Sequence, residues 1–122
     1  MTKQSQLQIQ AMLNQAAAAD LEILKKYKGK KVIFSATYSG YLYDGVLDSY
    51  GNDFVYFTDL SCTGCNFNEL VYEQPYNFGH YISNAKKLPD TTMRRVDIEQ
   101  IVLFNDVSKQ REKLFQSQGE AQ

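Results

Sequence analysis

The stretch from Lys28 to Asp59, KGKKVIFSATYSGYLYDGVLDSYGNDFVYFTD, most constrains what this chain can become. Val32, Phe34, Ala36 and Tyr38 alternate with Ile33, Ser35, Thr37 and Ser39, the period of two expected of a half-buried strand. A turn at Ser39-Gly40 leads into a second strand from Tyr41 to Ser49. Gly51-Asn52 then turns the chain into a third, Phe54 to Leu60. Gly45 sits inside the second strand, where a glycine marks a sharp bend or a close backbone approach. Three short strands joined by tight turns around such a bend point to a mainly β, five-stranded, strongly bent barrel.

The same residues carry a family resemblance. The spacing Gly40-x-x-Tyr43-x-Gly45-x-Leu47, followed by Tyr50, a turn and an apolar strand, resembles the first signature of Sm and Sm-like proteins. Val96 to Phe104, VDIEQIVLF, has an apolar rhythm similar to the second signature. The resemblance covers Asp20 to Leu60 and Thr92 to Phe104, and other SH3-like or OB-like barrels share part of the pattern. It implies a short helix ahead of the first strand, for which Leu21 to Tyr27 is the segment available. It also implies head-to-tail strand pairing into homo-oligomeric rings of about five to seven subunits, and a preference for RNA. Divergent family members include phage-encoded ones.

Departures from the pattern fall on the base-reading positions. The aspartate and asparagine of the first signature correspond to Gly51 and Val55, and the base-stacking place to Asp53. The arginine-glycine pair of the second signature corresponds to Asp97 and Ile98, while Arg94 and Arg95 lie three residues early. The fold therefore carries over more completely than the nucleotide pocket.

At 122 residues the chain is one domain with decorations. Residues 1–19, rich in Gln and Ala, read as a helical N-terminal extension, and Asp20 has the chemistry to cap a new helical turn. Residues 20–105 read as the barrel, interrupted by an insertion over 61–91 between strands three and four. Residues 106–122 form a polar C-terminal tail, in which Asp106 is a second candidate cap. Within the insertion, Leu70 to Tyr72 and His80 to Ser83 are expected to pair as a hairpin turning at Pro75-Tyr76-Asn77-Phe78-Gly79, because long structureless loops are uncommon in compact domains.

Thirteen basic against fourteen acidic residues give a net charge of −1, so global charge gives no argument for a nucleic-acid partner. The local exception is Lys25-Lys26-Tyr27-Lys28-Gly29-Lys30-Lys31. Its lysines can neutralise phosphates and Tyr27 can stack a base. Equally, lysines suit the last turn of a helix and Gly29 suits its C-terminal cap. Arg94 and Arg95 are a second basic pair, which also serves to guard an edge strand.

Cys62-Thr63-Gly64-Cys65 has the spacing of half a zinc site, and His80 is the remaining soft donor. Four ligands are not evident within one chain, so no metal and no cofactor are expected. With two cysteines, no segment near the ~20 apolar residues of a membrane span and a poor secretory signal, a cytoplasmic protein of a bacterial cell or a phage-infected host is expected.

Catalysis has little support: one histidine, no nucleophile elbow and no phosphate loop. Asp44 and Asp48, about 13 Å apart along a strand, are expected to be solvated. The reading is a non-enzymatic ring that binds single-stranded nucleic acid, RNA rather than DNA. Tyr50, Asn52 and Asp53 would surround the pore, with Lys30, Lys31, Tyr27, Arg94 and Arg95 as further contacts. The alternative is a structural or adaptor ring that binds protein partners. Either ring is held by Ile101, Val102, Leu103 and Phe104, a run that is apolar on both faces.

Overall fold

A computed structural model of the chain describes residues 18–73 and 78–107, so most of the expected N-terminal extension and of the C-terminal tail lie outside the described residues. The first element is α1 (Leu21–Tyr27). It starts where expected, with the Asp20 carboxylate accepting a hydrogen bond from Ile23 N–H at 2.9 Å. It stops at Gly29, whose φ of 78° suits a residue without a side chain and whose N–H donates to the Leu47 carbonyl at 2.7 Å.

Six strands follow: β1 (Lys31–Ala36), β2 (Tyr41–Tyr50), β3 (Phe54–Asn66), β4 (Lys86–Lys87), β5 (Thr91–Arg94) and β6 (Ile98–Leu103). They form one antiparallel sheet in the order β4-β3-β2-β1-β6, with β5 pairing to β3 beside β4. Among the described residues the hydrogen-bonded path does not close on itself. A 3-10 turn, Arg95–Asp97, carries the chain directly from β5 at one end of the sheet to β6 at the other.

Gly45 explains how the sheet bends. The register of β2 against β3 slips there: Asp44 faces Ser61 and Val46 faces Thr58, so Asp59 and Leu60 both lie opposite one residue. Asp59 takes a positive φ of 51°, and a Cβ on Gly45 would sit 3.1 Å from the Thr58 carbonyl. The close approach expected of this glycine is present, and it divides β3 into a half that pairs with β5 and a half that pairs with β4.

Each face of the sheet buries its own cluster. On one, Phe34 stacks on Phe57 at 4.3 Å and on Tyr43 at 5.4 Å, among Leu24, Leu47, Val55 and Ile101. On the other, Ile33, Leu42 and Val102 are covered by Phe67, Leu70, Val71 and Val107.

That second cluster corrects the reading of residues 61–91. β3 runs on to Asn66, so Cys62 to Cys65 belong to a strand. The expected hairpin is absent: Leu70 to Tyr72 lie in a π-helical turn, Glu69–Glu73, and His80 to Ser83 lie in α2 (Phe78–Ser83). The physical reason is the adjacent pairs Leu70-Val71 and Tyr81-Ile82. A strand would turn one member of each pair outward, whereas helical turns let both pack on the sheet. The chain also becomes helical at residues 104–107, ahead of the cap proposed at Asp106.

Candidate nucleic-acid interface

The tip of the β2–β3 hairpin is held in shape by one arginine. Gly51 N–H donates to the Phe54 carbonyl at 2.9 Å to close the turn, and β5 lies alongside with Arg94 opposite Phe54. Arg95 then folds back. Its N–H donates to the Asp53 carbonyl at 2.7 Å, its Nε to the Asn52 carbonyl at 2.7 Å and its Nη1 to the Ala19 carbonyl at 3.2 Å. Three segments distant in sequence thus meet on one guanidinium, whose planar fork can donate in several directions at once.

The result is a surface cavity of about 400 Å³ lined by Asn52, Asp53, Phe54, Arg94, Arg95 and Val96. Phe54 is 53% exposed and Val96 65% exposed, two large apolar side chains open to solvent in one cavity. The Arg94 side chain is 65% exposed, with Nε 3.5 Å from Asp97 Oδ2, a surface pair that a stronger anion can displace. A second, smaller cavity of about 190 Å³ shares Phe54 and is lined also by Ser49, Tyr50, Gly51, Tyr56 and Thr92.

Five of the eight expected contact residues therefore meet at this corner: Asn52, Asp53, Arg94 and Arg95 in the larger cavity, and Tyr50 at its neighbour. The other three lie elsewhere. Lys30 and Lys31 line a separate cavity of about 420 Å³ with Leu103, Asn105 and Asp106. Tyr27 packs against the core of the first cluster, and burial, reinforced by Asp106, raises its hydroxyl above the ordinary tyrosine value. Lys31 is engaged already, 3.7 Å from Asp44 Oδ2 and 4.2 Å above the Phe104 ring.

Asp44 overturns its own expectation of solvation, since only 5% of it is exposed. It stands opposite Ile33 on the face of the second cluster, and its Oδ1 has no hydrogen-bond partner among the described residues. Burial raises its pKa above the ordinary aspartate value, Lys31 opposes that shift and Asp59 adds to it.

Of the expected assembly residues, Ile101 and Val102 are buried in the chain's own two clusters, and Leu103 and Phe104 pack against them. β6 pairs with β1 through one edge, with Ile33 opposite Val102. Its other edge has no strand partner among the described residues.

Cys62 and Cys65 are free thiols. Cys65 Sγ donates to Glu69 Oε2 at 3.6 Å, and burial followed by the Glu69 charge raises its pKa, the opposite of what a thiolate ligand or nucleophile needs. His80 lies on α2 with its ring edge-on to Tyr81 at 5.6 Å. Among the described residues there is no group of three or more His, Cys, Asp or Glu side chains arranged to hold a metal ion. No helix among them is long and apolar enough to cross a membrane.

Sequence reasoning missed Phe54, Tyr56 and Val96. In Phe54-Val55-Tyr56-Phe57 every residue is apolar or aromatic, so the alternation that turns Phe54 and Tyr56 outward leaves no mark in the sequence. No protein-family model and no curated protein matches the chain.

Proposed function

We propose that this chain is a Sm-like small β-barrel that binds single-stranded nucleic acid, RNA in preference to DNA, without catalysing a reaction. The observation that carries the reading is the exposed Phe54 ring beside the exposed Arg94 guanidinium, in a cavity whose shape is fixed by Arg95. An aromatic face stacks any base and a guanidinium beside it takes the phosphate. Asn52 adds a side chain able both to donate and to accept.

Three features support the Sm-like assignment: a short helix before β1, a bend at Gly45, and a tight turn between β5 and a last strand that pairs with the first. The outer edge of β6 supports assembly into a ring, with β6 joining a neighbour's sheet. In that assembly the backbone of Ile101 to Leu103 would make the contact, Phe104 being already helical, while the side chains of Ile101 and Val102 stay in their own subunit.

A second reading is favoured by the charge. Asp53 and Asp97 stand beside the arginines and the net charge is −1, which suits an adaptor ring for protein partners. Fluorescence-anisotropy titrations with U-rich and A-rich RNA and with single-stranded DNA, over a salt series, separate the two. Binding that weakens with salt and with Arg94→Gln supports the first reading. No binding at low ionic strength leaves the adaptor. Sedimentation tests the ring: a 14.0 kDa monomer at all micromolar concentrations removes it.

A further inference from the structure

β3 presents two aromatic rings to solvent in succession. Val55 and Phe57 are fully buried, so Phe54 and Tyr56 between and before them face outward, Phe54 at 53% exposure and Tyr56 half-buried. The register sets Arg94 opposite Phe54 and Thr92 opposite Tyr56 on β5, and Ser49 opposite Tyr56 on β2. The two cavities meet at Phe54: one holds the arginines, the other the hydroxyl-bearing Ser49, Tyr50, Tyr56 and Thr92. Phe54 is thus a partition between an anion-binding compartment and a hydroxyl-lined one.

The spacing selects a ligand. Side chains two apart on a strand are about 6.6–6.8 Å apart, about twice the 3.4 Å rise per nucleotide of a stacked strand. Successive bases that each rest on one of these rings are therefore unstacked from one another. A duplex does not reach that state without melting, whereas an extended single strand does.

We infer that β3 carries a track for two successive nucleotides of a single strand, one base on Phe54 and the next on Tyr56. Arg94 takes the phosphate at the Phe54 end, and the hydroxyls of Thr92 and Ser49 face the sugar and base edge at the other. This rests on the nucleic-acid reading above and adds a footprint to it. Stacking on either ring does not depend on the identity of the base, so the two rings accept any base.

The test is competition by unlabelled ligands against a labelled oligouridine bound to the protein. Uridine monophosphate, a uridine dinucleotide and a base-paired RNA hairpin lacking a single-stranded tail are the competitors. The second base is expected to improve competition by roughly 5- to 100-fold over the mononucleotide, with the hairpin weaker than the dinucleotide. Tyr56→Ala is expected to remove that gain and Tyr56→Phe to keep it. Equal competition by mononucleotide and dinucleotide, or unchanged binding in a folded Tyr56→Ala, overturns the track. In those cases the nucleic-acid reading still stands if Arg94→Gln weakens oligouridine binding. No binding of oligouridine at low salt removes both.

Discussion

At the start of β1, Lys31 lies 3.7 Å from a buried carboxylate and 4.2 Å above an aromatic ring. At the far tip of the sheet, Arg94 lies on the surface paired with the half-exposed Asp97, and an aromatic ring stands open beside it. The denser cluster of positive charge in the sequence is at the first place. Lys31, in that cluster, is already engaged, whereas Arg94 has an exposed guanidinium beside an open ring. What separates them is the counter-charge: Asp44 is built into the sheet beneath Lys31, whereas Asp97 sits on the surface, where an ion pair contributes little. A lysine within the densest run of charge can thus be engaged by a buried anion that nothing in the local sequence marks.

Removing the Lys31 cation should have the largest effect on stability. Lys31→Ala leaves Asp44 buried and unpaired. Because Lys31 is 45% exposed, the loss should be about 1–3 kcal/mol near neutral pH, below the cost of breaking a fully buried pair. Denaturant titrations measure it. A loss equal to that of Lys25→Ala, on the exposed last turn of α1, would erase the contrast drawn above.

Arg95 separates holding from binding within the second region. All three of its hydrogen bonds go to backbone carbonyls, one from its own backbone N–H and two from the guanidinium. Arg95→Ala removes the latter two, which should cost about 1–2 kcal/mol. Hydrogen exchange at the Gly51 amide, which closes the turn on the Phe54 carbonyl, should quicken in that variant. Unchanged exchange there would mean the turn keeps its shape unaided.

The acid limb tests Asp44 directly. Its folded-state pKa lies above its unfolded one, so the folded chain holds that proton more tightly. Its contribution is fully present below the ordinary aspartate value and is lost as pH rises through the raised value. Wild type should therefore gain on Asp44→Asn as pH falls from about 7 to about 3, measured as the difference in unfolding midpoints. A constant difference over that range would place Asp44 in solvent.

Arg94→Gln should be the mildest in stability, within about 0.5 kcal/mol. Its mark should be on binding, where losing one phosphate contact lowers the logarithmic salt slope by about 0.7 for a single strand. Lys31→Gln should leave that slope unchanged, because its cation is already engaged.

The bend at Gly45, the cap at Asp20 and the stop at Gly29 were legible because each depends on a local backbone requirement that few residues meet. The meeting of Arg94 and Arg95 with Asn52 and Asp53 was legible only as a list of candidates. Their contact depends on the register of β5 against β3 over some forty residues of intervening chain, which no local pattern encodes. The helical turns around Leu70 and Tyr81 were hidden for a related reason. Short apolar pairs satisfy either period until it is known that a sheet face needs covering. Asp44 looked like an ordinary outward residue of a sheet with one wet side, and its burial follows from the cover laid over the second face.

The Arg95 bond to the Ala19 carbonyl has a practical side for anyone preparing the protein. A chain cut to start at Asp20 would keep the helix cap, every strand and both clusters apart from Ala19. It would nevertheless lose the carbonyl that steadies the cavity wall. Where the expression boundary is drawn, or where a bulky tag is attached just upstream, therefore becomes a variable in any ligand screen, and a weak result from a trimmed chain speaks first about that missing anchor.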